Sequence, residues 1–138
     1  MIIVDTGAML ALLDASEDQH RILKKVYEEN AGRWILPAAI LPEIDHLVST
    51  HLGAKAQQAF IDDLADGAFS VEWGRDEDLS SARRICVQYS ALKLGFVDAM
   101  VIATAERLNA DAIATLDLGH FSAVAIKGSP RLLPRDLL

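Results

Sequence analysis

Met1-Ile2-Ile3-Val4-Asp5-Thr6-Gly7-Ala8-Met9-Leu10-Ala11-Leu12-Leu13 is the stretch whose reading decides the fold. A short apolar run, Ile2-Ile3-Val4, meets a carboxylate at Asp5 and then a glycine. Such a run bounded by a turn signal reads as a buried strand. Thr6 to about Asp14 reads as a short helix. Asp5 therefore stands at the carboxyl end of a strand, where the chain turns into a helix. In open α/β sheets that edge receives ligands. A buried carboxylate is costly unless something pairs with it. The remaining chain must supply that partner.

Outward from this stretch, helices and short apolar runs alternate. Ile22, Leu23, Val26 and Tyr27 fall on one helical face, predicting a helix over 18–30 that stops at Asn30 and Gly32. Arg33–Leu36 predicts a second strand, ending at Pro37. Pro42 suits the first turn of a helix running to about Leu52. Gly53 separates that helix from another over 54–65. Phe69–Trp73 alternates as a third strand near a sheet edge. Asp76–Asp78 caps a helix to about Leu92. Val97–Leu108 is helical and apolar almost all round, which marks a buried helix. Asp111–Thr115 reads as a fourth strand and Val124–Ile126 as a candidate fifth. The tail after Gly128, with Pro130 and Pro134, reads as irregular.

Strands separated by helices imply a three-layer α/β/α sandwich with a central, mostly parallel sheet of four or five strands. Crossovers should be right-handed. A length of 138 residues predicts one domain over 1–138 with a substantial core. A hydrophobic content of 51% excludes disorder. No run is long enough to span a membrane. No basic region precedes the first apolar run, so no signal peptide is expected. The single cysteine, Cys86, fits a core position and a reducing cytoplasm. The net charge of −7 argues against gripping long duplexes through a broad basic surface. It does not exclude nucleic acid as substrate, because bound cations would invert an acidic pocket's field. The basic pairs Lys24–Lys25 and Arg83–Arg84 read as solvated helix faces.

Four acids lie beside apolar sequence at strand ends or first helical turns: Asp5, Glu43, Asp98 and Asp117. Each has an ordinary reading. Asp5 suits an N-cap. Glu43 suits a helix macrodipole, with Asp45 a competitor for any role there. Asp117 suits a turn. Asp98 is hardest to explain so, because it shares a face with Val101, Ile102 and Ala105 on a helix with little polar surface. Together the four point elsewhere. Asp5 and Asp117 belong to the carboxyl edge of the sheet directly. Glu43 and Asp98 join them if their helices start there. Clustered carboxylates raise one another's pKa unless a cation is present. Mg²⁺ or Mn²⁺ suits oxygen ligands, and such an ion can activate water and stabilise charge on a phosphoryl oxygen.

Ile3-Val4-Asp5-Thr6-Gly7-Ala8, Pro42-Glu43-Ile44, Gly95-Phe96-Val97-Asp98-Ala99 and Thr115-Leu116-Asp117 with His120-Phe121 resemble, in order and spacing, the PIN-domain family. Within it they resemble the VapC-like toxin ribonucleases of toxin–antitoxin pairs. The resemblance implies a metal-dependent endoribonuclease using Mg²⁺ or Mn²⁺, with no covalent enzyme intermediate. It implies Asp5, Glu43 and Asp98 as core metal-binding acids, Asp117 as the fourth, and Thr6 as a polar helper. It also implies an RNA substrate, a homodimer, and an antitoxin that covers the acidic site. Some relatives carry a further acid near the position of His120, which is read here as a packed or solvent-facing histidine. Gly7 replaces a polar residue common in the family.

Competing readings are weaker. Asp5-Thr6-Gly7-Ala8 matches the aspartic-protease signature, but that fold is all-β and the pattern after Met9 is helical. An aspartyl-phosphate phosphatase wants an acid where Gly7 stands. A receiver-like phosphoacceptor shares the doubly wound sheet, yet leaves Asp98 unexplained. A protein-binding module without catalysis is the remaining rival. His46 and His51 lie five apart on a helix and point to different sides, so zinc is set aside.

Overall fold

The computed structural model describes residues 1–137. Five short strands carry the frame: β1 (Ile2–Val4), β2 (Trp34–Pro37), β3 (Ser70–Glu72), β4 (Ala112–Ala114) and β5 (Arg131–Leu133). They form one all-parallel sheet in the order β3-β2-β1-β4-β5. Every residue of β1 and β4 is buried. Continuous apolar runs are what a parallel sheet covered on both faces requires.

Helices α1 (Thr6–Leu13) and α2 (His20–Glu29) connect β1 to β2, and α3 (Leu41–Leu52) and α4 (Ala54–Ala65) connect β2 to β3. The chain then reverses. Helices α5 (Asp76–Gln88) and α6 (Phe96–Arg107) carry it back across the sheet to β4, and the four-residue helix α7 (Leu118–Phe121) follows. Right-handed crossovers in opposite directions place the two helix sets on opposite faces. The contacts agree: α1 packs on α2 and α3, α3 on α4, and α5 on α6. The topological switch point lies between β1 and β4, which pair Val4 against Ala114. Ligands of doubly wound sheets sit outside the carboxyl ends of strands at that point. The order also differs from the 2-1-3-4-5 arrangement of flavodoxin-like receivers, which removes the topological basis of that rival.

One strand expectation fails. Val124–Ile126 is not a strand, and the fifth strand is Arg131–Leu133, inside the tail expected to be irregular. Val124 and Ile126 are buried with exposed Ala125 between them, so they show strand-like alternation without a ladder. Ile126 N–H instead donates to the Val124 carbonyl. The ladder forms after Pro130, where Leu132 and Leu133 pair with Ile113 and Ala114. The helix expected to reach Leu92 ends at Gln88, and a 3₁₀ turn over Ser90–Leu92 follows.

Ile113 is fully buried in β4, between β1 and β5. Ile113→Ala is expected to cost about 2–5 kcal/mol, the range for large-to-small changes in a packed core. Urea unfolding monitored by circular dichroism would measure this.

Candidate metal centre

Asp5 lies just past β1, and its N–H still donates to the Ala114 carbonyl of β4. That bond ties the acid to the switch point. Asp5 also caps α1: its Oδ1 accepts the Thr6 N–H at 2.8 Å. The ordinary reading of Asp5 as an N-cap is thus correct, and it leaves the other oxygen for other work. Oδ2 accepts the Thr115 hydroxyl at 3.0 Å. Asp5 is only 6% exposed. Burial is the main cause that pushes its carboxyl up to about 6, and the nearby charges of Asp98 and Asp117 add to it. The hydrogen bonds from Thr6 and Thr115 pull the other way and are outweighed.

Thr115, directly after β4, joins two of the acids. Its Oγ accepts the Asp117 N–H at 3.0 Å while its proton goes to Asp5. A buried hydroxyl that spends both capacities in this way fixes the spacing of what it links. Asp117 in turn caps α7, its Oδ1 accepting the His120 N–H at 3.1 Å. Asp98 sits in the first turn of α6, where a helix N-terminus favours an acid.

Asp5, Glu43, Asp98 and Asp117 all line one cleft of about 480 Å³, together with Thr6, Gly7, Val97 and Leu116. They are not equally close. Asp98 and Asp117 meet His120: its Nδ1 is 2.9 Å from Asp98 Oδ2 and 3.1 Å from Asp117 Oδ2. Glu43 is exposed in the first turn of α3, on the rim, outside that tight group.

Two expectations need correction here. His120 is neither packed away nor simply solvent-facing: it bridges two acids. Its hydrogen bond with Asp98, and the charges of Asp117 and Asp98, hold the imidazole pKa above its ordinary value against the opposing effect of burial. Asp98 does not lie in the buried body of α6. Its side chain is 20% exposed, whereas the helix is buried from Ala99 to Ala105 apart from half-buried Met100. The deeply buried acid of the cleft is Asp5. Thr115 had no role in the sequence reading. The available signal was a hydroxyl two residues before Asp117 at a strand end, a spacing that favours an Asx- or ST-type turn.

The donors fit a divalent cation. Carboxylate oxygens suit hard ions, and clustered acids repel until a cation joins them. The Thr6 hydroxyl, on a residue 4% exposed and lining the cleft, has no hydrogen-bond partner. A buried polar atom without a partner is uncommon and calls for one. The grooves beside Phe121 and Ile126, beside Ile22 and Leu118, and beside Leu13 and Phe60 are smaller and lack any such set of acids.

Thr115→Val keeps the shape of the side chain and removes both of its hydrogen bonds. The Asp5 carboxylate then loses a donor. Expected are a further rise of the Asp5 pKa, followed by NMR titration, and a loss of about 1–3 kcal/mol of stability from the polar groups left unpaired.

Comparison with known proteins follows the same lines. The family model for the PIN domain matches residues 2–127. Ribonuclease VapC26 of Mycobacterium tuberculosis is 32% identical over 130 residues, covering 94% of this chain and 96% of that protein. Among solved structures, VapC20 of Mycobacterium tuberculosis, described as a sarcin-ricin loop cleaving toxin, superposes with a TM-score of 0.80 at 22% identity. That match covers 94% of this chain and 99% of that one. The DNA-bound VapBC complex from Salmonella typhimurium gives 0.72 at 15% identity, with 95% of each chain covered. At such identities the structures speak for the fold alone, and the sequence matches speak for the family. With the family model spanning nearly all of the chain, and a sequence relative aligned end to end, this protein belongs to the PIN-domain family, in its VapC-like branch.

Proposed function

We propose that the chain is a single-domain, divalent-metal-dependent endoribonuclease and the toxin of a toxin–antitoxin pair. The observation that carries this reading is the convergence of Asp5, Asp98 and Asp117, with Glu43 on the rim, in one cleft at the switch point of the sheet. Ribonuclease VapC26 supports the substrate class. The proposed metal is Mg²⁺ or Mn²⁺.

When bound, such an ion supplies Lewis-acid stabilisation of phosphoryl charge and a reactive water at neutral pH. The chain's own residues set the stage. Thr6 N–H and the Thr115 hydroxyl hold the Asp5 carboxylate in one orientation. Thr115 also anchors the Asp117 backbone, so the two acids keep a fixed spacing. Asp98 enters from the opposite helical layer at the first turn of α6. The Thr6 hydroxyl is free to donate to a water or a phosphate oxygen in the cleft. Among the described residues no serine, cysteine or lysine lines the cleft, and direct attack by water without a covalent enzyme intermediate is the proposed route. The proposed partners are RNA, a cognate antitoxin over the acidic cleft, and a second copy in a homodimer. No described helix is long and apolar enough to cross a membrane.

Chelator-stripped protein should leave a structured RNA intact and cut it when Mg²⁺ or Mn²⁺ is restored. Cleavage that survives chelation would overturn the reading. Phosphorylation by a small phosphodonor without RNA cleavage would favour a phosphoacceptor instead.

A further inference from the structure

The cleft contains one donor that is not an acid. His120 lies three residues after Asp117 on α7, and the cap that Asp117 makes to the His120 N–H fixes the two side chains on one turn. Asp98 reaches the same ring from α6. One oxygen from each acid and one imidazole nitrogen lie within 4.8 Å of one another. That three-atom group is the one place among the described residues where histidine, cysteine and acid side chains come close enough to share an ion.

The separations suit ligands as well as hydrogen bonds. Two atoms at right angles around an ion, each about 2.1 Å from it, are about 3.0 Å apart. Nδ1 stands 2.9 Å from Asp98 Oδ2 and 3.1 Å from Asp117 Oδ2. A ligating imidazole binds through one ring nitrogen and keeps its proton on the other. With the proton on Nε2, the Nδ1 lone pair faces the two carboxylates. A second observation at the same cleft is independent of His120: the buried Thr6 hydroxyl, which lacks a partner.

We infer that His120 is the nitrogen ligand of a mixed metal position shared with Asp98 and Asp117, and that this donor set favours a first-row transition dication over Mg²⁺. The inference rests on reading the cleft as a metal centre and adds to it a ligand and a selectivity. Mg²⁺ prefers oxygen and water ligands in a near-octahedral shell. Imidazole strengthens binding of the transition metals and does little for Mg²⁺. One nitrogen in place of an oxygen therefore changes the ranking of ions without changing the charge-rich character of the cleft.

Mn²⁺ is the probe, because it is paramagnetic and its neighbours can be read directly. Chelator-stripped full-length protein would be loaded with Mn²⁺ and measured by electron spin-echo envelope modulation. The expected spectrum shows coupling to a directly bound imidazole nitrogen, lost in His120→Ala. In His120→Asp the nitrogen coupling should vanish while Mn²⁺ stays bound, and the ratio of Mn²⁺ to Mg²⁺ affinity should fall about tenfold. Mn²⁺ that binds in an Asp98-dependent way without nitrogen coupling would overturn the role of His120 and leave the metal centre standing. Nitrogen coupling unchanged in His120→Ala would overturn it equally. Failure of the wild-type protein to bind Mn²⁺ would overturn both.

Discussion

Asp98→Asn is expected to lower RNA cleavage by at least about 100-fold, since even residues that only support metal ligands cost 10–100-fold when changed. The fold should be nearly unaffected. The side chain is one-fifth exposed, lies in the first turn of α6, and keeps its size in the substitution. The loss of a favourable acid at a helix N-terminus is worth about 0.3–1 kcal/mol. Relief of repulsion with Asp5 offsets part of it. Activity and stability should therefore separate cleanly: a large kinetic loss with a melting curve close to that of the wild type. Asp5→Asn would separate them less well. Asp5 accepts hydrogen bonds from Thr6 and Thr115 in a buried place, so part of any loss could come from the fold. Cleavage rates and thermal melts of the same preparations would decide. Retained activity in Asp98→Asn would mean that the acid takes no part in the reaction.

The second large effect lies away from the cleft. Arg107, at the end of α6, donates through Nε to Asp78 Oδ1 at 2.8 Å and through a terminal nitrogen to Glu72 Oε1 at 2.8 Å. The Asp78 side chain is only 2% exposed, and it also accepts the Arg75 N–H at 3.0 Å. Removing one partner of a buried pair costs about 3–5 kcal/mol, because a buried charge is left unmatched. Arg107→Met should therefore be among the most destabilising single changes in the protein. Adding Asp78→Leu to it should recover part of the loss, since no unmatched buried charge remains.

The same pair sets an acid dependence. Burial pushes the Asp78 carboxyl up, but hydrogen bonds from Arg107 and Arg75 more than offset this and hold it below its ordinary value. Arg107 holds Glu72 low as well, against the opposing effect of burial. A carboxyl whose folded pKa is depressed stabilises the fold fully above its unfolded value, here 3.8 for Asp78 and 4.5 for Glu72. That contribution drains as the pH falls below those values. Urea unfolding at pH 7 and near pH 3 should show a larger gap between wild type and Arg107→Met at the higher pH. An equal gap at both would show that the ion pair does not carry the difference.

The frame was legible because its signals were strong and local. Ile2-Ile3-Val4-Asp5 announced a buried strand and its acid, and α6 announced itself by small apolar residues all round. Parallel alternation places Asp5 and Asp117 at one edge from the sequence alone. What escaped depended on pairing. β5 is three residues long, begins with exposed Arg131 and lies between two prolines, so it carries no pattern of its own. It exists because β4 offers a ladder. Val124 and Ile126 show how burial without a ladder imitates a strand.

Burial as a sign of function proved ambiguous in the same way. Asp98 drew attention for burial it does not have. Asp78, which is 1% exposed, read only as part of a cap, and its burial is explained by Arg107, 29 residues away. His120 reads as packed or solvent-facing because a lone histidine after a turn carries no spacing signal. Its role depends on Asp98 arriving from another element.

Anomalous diffraction from a crystal of the wild-type protein soaked in Mn²⁺ tests the metal centre most directly. The expected result is a peak in the cleft within about 2.0–2.3 Å of carboxylate oxygens of Asp98 and at least one of Asp5 and Asp117, absent from crystals of Asp98→Asn. A fully occupied peak away from these acids, or none at any Mn²⁺ concentration that supports RNA cleavage, would contradict the assignment.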